Sequence, residues 1–114
     1  MKKILVVDDD EAILDVVTEL LKSHGFEVHP HSTGNVSEIV KWNHPHLILL
    51  DIHFFGKFGT QICKELKEKY TIPIILFSAD TKQGSEFAEY SADGFIQKPF
   101  DTKKLVDTIN LHVN

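Results

Sequence analysis

Carboxylates gather at two places in this chain where short apolar runs stop. Asp8, Asp9 and Asp10 follow Ile4–Val7, and Asp51 follows Leu47–Leu50. Two other polar residues end runs of the same kind. Ser78 closes Ile74–Phe77, and Lys98 follows Phe95-Ile96-Gln97 and precedes Pro99. Three or more converging carboxylates repel one another strongly and recruit a cation or a proton. An all-oxygen, carboxylate-rich site favours a hard ion. Mg²⁺, six-coordinate and retaining several waters, suits few protein ligands beside a bound phosphate. Nucleophilic carboxylate, metal, hydroxyl donor and ammonium together answer the needs of a phosphoryl group, whose negative charge is spread over its oxygens.

Such residues meet only if the runs are neighbouring strands with their ends on one side. Each run is too short for a helix, and its unbroken apolarity predicts a strand covered on both faces, as in a parallel sheet. Phe26–Pro30 alternates apolar and polar residues and is expected near an edge. Between the runs lie helical patterns. Ile13, Val16, Val17, Leu20 and Leu21 are expected to form one buried stripe that stops at Gly25. Gly59, Ile62, Cys63, Leu66 and Tyr70 repeat that pattern, as do Leu105, Val106, Ile109 and Val113. Val36, Ile39 and Val40 predict a shorter helix ending before Asn43-His44-Pro45. The pattern is weakest over Lys82–Ser91, which contains Gly84. Strand and helix alternate five times, the mark of a doubly wound α/β sheet, and right-handed crossovers place helices on both faces. In such sheets ligands bind beyond the carboxyl ends of the strands.

The chain has 114 residues, enough for one domain with a real core. The expectation is a single domain over residues 1–114 with no output domain in this chain. Lys and Arg number 12 against 17 Asp and Glu, a formal charge of −5, which repels phosphate backbones and argues against nucleic-acid binding by this chain alone. The one cysteine suits a reducing compartment. The apolar run after Met1-Lys2-Lys3 stops at Val7, short of a signal sequence. No run approaches the ~20 residues of a membrane span. A cytoplasmic location without membrane attachment is expected.

The segments Ile4-Leu5-Val6-Val7-Asp8-Asp9-Asp10, Leu47-Ile48-Leu49-Leu50-Asp51-Ile52, Leu76-Phe77-Ser78-Ala79 and Gly94-Phe95-Ile96-Gln97-Lys98-Pro99-Phe100 resemble the marks of response-regulator receiver domains of two-component systems. The resemblance runs from near Lys3 to the C-terminus. It implies a flavodoxin-like (βα)5 sheet in the strand order 2-1-3-4-5. It implies a phosphoacceptor switch rather than an enzyme, promoting only its own phosphorylation and dephosphorylation. Asp51 would take the phosphoryl group, and Asp8, Asp9, Asp51 and the backbone carbonyl of His53 would hold Mg²⁺, with Asp9 favoured over Asp8 as a direct ligand. Ser78 and Lys98 would contact phosphoryl oxygens, Phe95 would be the aromatic switch residue, and Lys98-Pro99 is a candidate cis bond. The implied partners are a sensor histidine kinase or histidine phosphotransfer protein and an unknown downstream protein. A phosphorylation-dependent homodimer would use the Lys82–Ser91 helix, the fifth strand and the last helix.

The chain departs from the family pattern in two places. Where members often carry Met-Pro, the loop reads His53-Phe54-Phe55-Gly56-Lys57-Phe58-Gly59; its three phenylalanines read equally as core or as an unusually apolar docking surface for the phosphoryl donor. Phe95 replaces a frequent tyrosine and has no hydroxyl.

Other readings compete. Asp10 suits a helix cap better than a ligand. Capping alone would not explain Ser78 and Lys98 beside Asp8, Asp9 and Asp51. His29 with His31, and His44 with His46, lack a third ligand at a familiar transition-metal spacing. Cys63 sits on an apolar stripe and reads as core. A metal-dependent aspartyl phosphatase would want a second acid two residues after Asp51, where His53 stands. A flavodoxin-like cofactor binder would want a Gly- or Ser/Thr-rich phosphate loop in place of three aspartates.

Overall fold

A strand with no polar face must be covered on both sides, and that is where the apolar runs lie. The structure, a computed structural model, describes residues 1–52, 59–79 and 91–113. Its strands are β1 (Lys3–Val7), β2 (Glu27–His31), β3 (Leu47–Asp51), β4 (Ile74–Ser78) and β5 (Gly94–Gln97). The described helices are α1 (Glu11–Ser23), α2 (Val36–Asn43), α3 (Gly59–Lys69) and, last in the chain, α4 (Thr102–Val113). The strands form one parallel sheet in the order β2-β1-β3-β4-β5. The expected Lys82–Ser91 helix lies, apart from Ser91, outside the described residues, as do Phe54, Phe55 and Phe58.

Side chains alternate across a strand, so each strand feeds two cores. Ile4, Val6, Leu49, Phe77 and Ile96 meet Leu14, Val17 and Leu21 of α1 and Leu105 and Ile109 of α4 on one face. Leu5, Val7, Ile48, Leu50 and Leu76 meet Val36 and Val40 of α2 and Cys63 and Leu66 of α3 on the other. Every residue of β3 and β4 is buried. At about 1.5–3 kcal/mol for each fully buried large apolar side chain, these two strands anchor the domain.

One helical face differs from expectation. The stripe of α1 is Leu14, Val17 and Leu21, with Ile13 and Leu20 at its margin, while Val16 is 58% exposed. Val16 lies roughly 130° around the helix from the centre of that stripe. Spacings of three and four link it to Ile13 and Leu20, but those two residues flank the core rather than centre it.

Gly25 ends α1 as expected, with φ +88°. Its N–H donates to Lys22 O and that of Phe26 donates to Leu21 O, each at 3.1 Å. This pair of bonds is a Schellman closure, completed by the shared burial of Leu21 and Phe26. Phe26 therefore belongs to the helix stop, and β2 begins one residue later than the alternation predicts. β2 is an edge, paired only with β1, and carries exposed Pro30. α2 is capped at its start by Asn35, whose side chain accepts from Glu38 N–H, and at its end by His44 in the left-handed region, φ 51°, before Pro45.

At the amino-terminal end of the sheet, Asp93 ties several elements together. Its Oδ2 accepts from Ile74 N–H at 2.8 Å and from the Lys67 ammonium at 3.0 Å, and its carbonyl lies 3.1 Å from His112 Nε2. Among the described residues no helix is long and apolar enough to cross a membrane.

Candidate functional site

The site forms at the opposite end, where β1, β3, β4 and β5 stop. Asp8 directly follows β1 and is fully buried; its N–H donates to His31 O at 3.2 Å. Its Oδ1 accepts the N–H of Asp10 at 2.9 Å, and its Oδ2 accepts the Lys98 ammonium at 2.7 Å. Asp10 turns away, as expected, to cap α1, accepting from Ala12 N–H at 3.0 Å and Ile13 N–H at 3.4 Å. Asp9 is exposed at the mouth.

β3 lies beside β1, with Val7 in register with Leu50, so Asp51 stands next to Asp8. Asp51 is 5% exposed and its carboxylate lies 3.6 Å from the Lys98 ammonium. One oxygen from each of Asp8, Asp9 and Asp51 falls within 4.8 Å of the others. Among the described residues this is the one group of three or more side chains placed to hold a metal ion. The donors are all oxygens, one side is open through Asp9, and two of the three carboxylates, Asp8 and Asp51, share the Lys98 ammonium. That donor set fits a hard divalent cation such as Mg²⁺. His53, the expected source of a further oxygen, lies outside the described residues.

Ser78 ends β4 and is 2% exposed; it pairs in register with Gln97, and its carbonyl accepts Lys98 N–H at 2.9 Å. The bond between Lys98 and Pro99 is cis. Phe95, on β5, is half-buried and packs on the same face as Leu76, two residues before Ser78. All the expected strand-end residues that are described, Asp8, Asp9, Asp51, Ser78 and Lys98, come to this end of the sheet. Phe77 was expected only as strand core. It is fully buried, yet the Lys98 ammonium sits 4.6 Å from its ring centroid, and Phe100 backs it with centroids 5.6 Å apart. Nothing local in the sequence links Lys98 to Phe77, since the contact exists only when β4 and β5 pair.

Among the described residues no histidine side chain joins this acid group. His29 bonds Glu27, which, with Lys3 adding positive charge, holds that carboxyl below its ordinary value. Burial, with His29 nearby, pushes His31 down. His46 Nδ1 accepts Lys3 N–H at 2.9 Å. Cys63 is fully buried, and burial pushes its thiol up to about 12, so it is inert core as expected.

Comparison with known proteins agrees with the geometry. The chain is similar to the N-terminal signal receiver domain of a two-component response regulator from Bacteroides fragilis, with 30% identity, a TM-score of 0.91, and coverage of 100% of this chain and 98% of that one. It is similar to the BeF3-activated N-terminal receiver domain of Klebsiella pneumoniae RstA, at 27% identity and a TM-score of 0.92, covering 99% of each chain. A CheY-like receiver domain protein from Methanospirillum hungatei matches at 29% identity with a TM-score of 0.89, over 99% of this chain and 94% of that one. The family model for the response regulator receiver domain matches residues 4–110. That match runs from the second residue of β1 into the last turn of α4, taking in every strand end described above, and on that footing the chain belongs to the response regulator receiver domain family.

Proposed function

We propose that this receiver domain is phosphorylated on Asp51. The observation that carries the choice is the difference between the three carboxylates. Asp8 already engages Lys98 and the Asp10 N–H with its two oxygens and is fully buried. Asp9 is exposed on the connection after β1. Asp51 ends the central strand, nearly buried, with the other two acids and the Lys98 ammonium around it. An Asp51 oxygen attacks the phosphorus of a phosphohistidine. The new P–O bond forms as the P–N bond breaks, and the imidazole leaves with the electron pair.

Asp8, Asp9 and Asp51 would hold Mg²⁺, with the His53 carbonyl as a further ligand. When bound, the ion supplies positive charge against the phosphoryl oxygens. Lys98 exchanges part of its contact with Asp8 and Asp51 for one phosphoryl oxygen, and the Ser78 hydroxyl donates to another. Drawing Ser78 inward opens space on the face it shares with Phe95, whose ring follows by packing alone. The donor is a histidine kinase, directly or through a histidine phosphotransfer protein. Phosphorylation changes the surface of β5 and α4, through which two copies would associate or a downstream protein would dock. All described elements contribute to one sheet and its covers, which supports one domain over residues 1–114, and a histidine-kinase donor supports a cytoplasmic role.

The test is incubation with acetyl phosphate and Mg²⁺, read by intact mass. Wild type should gain one phosphoryl group and Asp51→Ala none; equal labelling of the variant would overturn the assignment. Because the Klebsiella domain is described as BeF3-activated, beryllofluoride is the stable mimic to use here.

A further inference from the structure

A lysine has four rotatable stem bonds and loses much side-chain freedom when its head is fixed. Lys98 is nevertheless held with its ammonium at 2.7 Å from Asp8 and 3.6 Å from Asp51, with only 17% of its side chain exposed. The acids attract the charge, but they do not define one seat for it. The third wall is aromatic. The ammonium lies 4.6 Å from the centroid of Phe77, within the range where a ring's negative face attracts a cation. The ring is itself fixed. Phe77 is fully buried, its carbonyl accepts Ile52 N–H at 3.3 Å, and Phe100 packs on it with a 45° tilt. A desolvated cation–π contact is at the strong end of its range, because water competes poorly for the ammonium there.

We infer that Phe77 is a positioning residue for phosphoryl transfer: its ring face seats the Lys98 ammonium between Asp8 and Asp51, ready for the incoming phosphoryl oxygen. The inference rests on the reading of Asp51 as acceptor and Lys98 as phosphoryl partner. Phe77 touches no reacting atom and acts through Lys98. A purely attractive acid cluster would hold the lysine too tightly to release it. The ring offers a second attraction that persists while the ammonium slides from carboxylate toward phosphoryl oxygen, so the cation need not pass through water. The residue preceding Ser78 thus has two duties, packing in the core and seating the cation over its ring.

Ring electronics separate these duties. Mono-, di- and trifluorinated phenylalanines placed at position 77 withdraw negative charge from the ring face while changing volume little. The rate of labelling by acetyl phosphate with Mg²⁺ should fall in step with fluorination, by about three- to thirty-fold across the series. Phe77→Leu should fall at the slow end, and Phe77→Tyr, which keeps the face, should recover most of the rate. In the unlabelled protein, nuclear magnetic resonance of the Lys98 side chain should show its order declining along the same series. A flat labelling series, with Phe77→Leu alone impaired, would show that the ring only packs, and the inference falls. If Asp51→Ala labels as fast as wild type, the acceptor reading falls instead. The order of Lys98 then decides the seat by itself, and unchanged order across the series overturns it.

Discussion

Replacing Lys98 with methionine keeps the length and apolar bulk of the stem and removes the charge. At an effective dielectric constant near 20, attraction across 2.7 Å to Asp8 is about 6 kcal/mol, and across 3.6 Å to Asp51 about 5 kcal/mol. Each pair of carboxylates lying within 4.8 Å repels by at least about 3.5 kcal/mol on the same scale. The two sets nearly cancel in the wild type, and the variant loses this attraction while the repulsion stays. Asp8 would keep the Asp10 N–H on Oδ1 but lose the cation on Oδ2 while fully buried. Part of the loss returns because the ammonium no longer has to be desolvated, which brings the net to the about 3–5 kcal/mol typical of breaking a buried pair from one side. That is a large share of a domain's about 5–15 kcal/mol. Urea unfolding followed by circular dichroism, in chelator and then in saturating Mg²⁺, reads the effect. In chelator Lys98→Met should unfold at much lower urea. In Mg²⁺ the gap to wild type should narrow, because the ion restores positive charge. A variant as stable as wild type in chelator, or a gap indifferent to Mg²⁺, would refute the electrostatic account of this cluster.

Asp9→Ala should weaken Mg²⁺ binding by an order of magnitude or more, measured by calorimetry. Metal-free stability should hold or rise, because one of three crowded charges has gone. Ser78→Ala should slow labelling by acetyl phosphate by about tenfold or more, the worth of one charge-assisted hydrogen bond in the transition state; an unchanged rate would exclude the hydroxyl from the reaction. The His29 bond and the Lys3 charge hold Glu27 below its ordinary 4.5, so its contribution is present above that value and lost as pH falls through the lower folded value. Glu27→Gln should therefore lose less stability than wild type between pH 5 and pH 3 in urea titrations, and parallel losses would count against the pairing.

The sheet and the acid site were legible because each rests on a local signal. Unbroken apolar runs can only be doubly covered strands, and the chemistry stands one residue beyond their ends. The misreadings arose where two signals overlapped. In α1 the set Ile13, Val16, Val17, Leu20, Leu21 satisfies helical spacing as well as the true stripe of Leu14, Val17 and Leu21, and only packing against β1 and β2 selects between them. Phe26 fits a strand alternation and a helix stop equally, and the backbone bonds of the Gly25 closure claim it. Contacts joining distant segments were not legible at all. Lys98 over Phe77, and Asp93 receiving Ile74 and Lys67 while facing His112, depend on which strands become neighbours.

The order β2-β1-β3-β4-β5 also governs how the site can be assembled as the chain folds. β1 reaches β2, β3 reaches β4, and β4 reaches β5 each across one connection, whereas Ile4 must find Leu47 across a helix, a strand and a second helix. Closing a longer loop costs more chain entropy, and non-local pairings slow folding. That same joint brings Asp8 against Asp51, so like charges are loaded onto the closure with the greatest entropic cost. The sheet is in this sense two pieces, β2-β1 and β3-β4-β5, sewn along one seam whose end is held apart by repulsion until a cation arrives. Lys98 comes from β5, the last strand in the chain, so during synthesis the seam lacks its own fastener until the domain is almost complete, and a divalent ion could serve as the temporary pin.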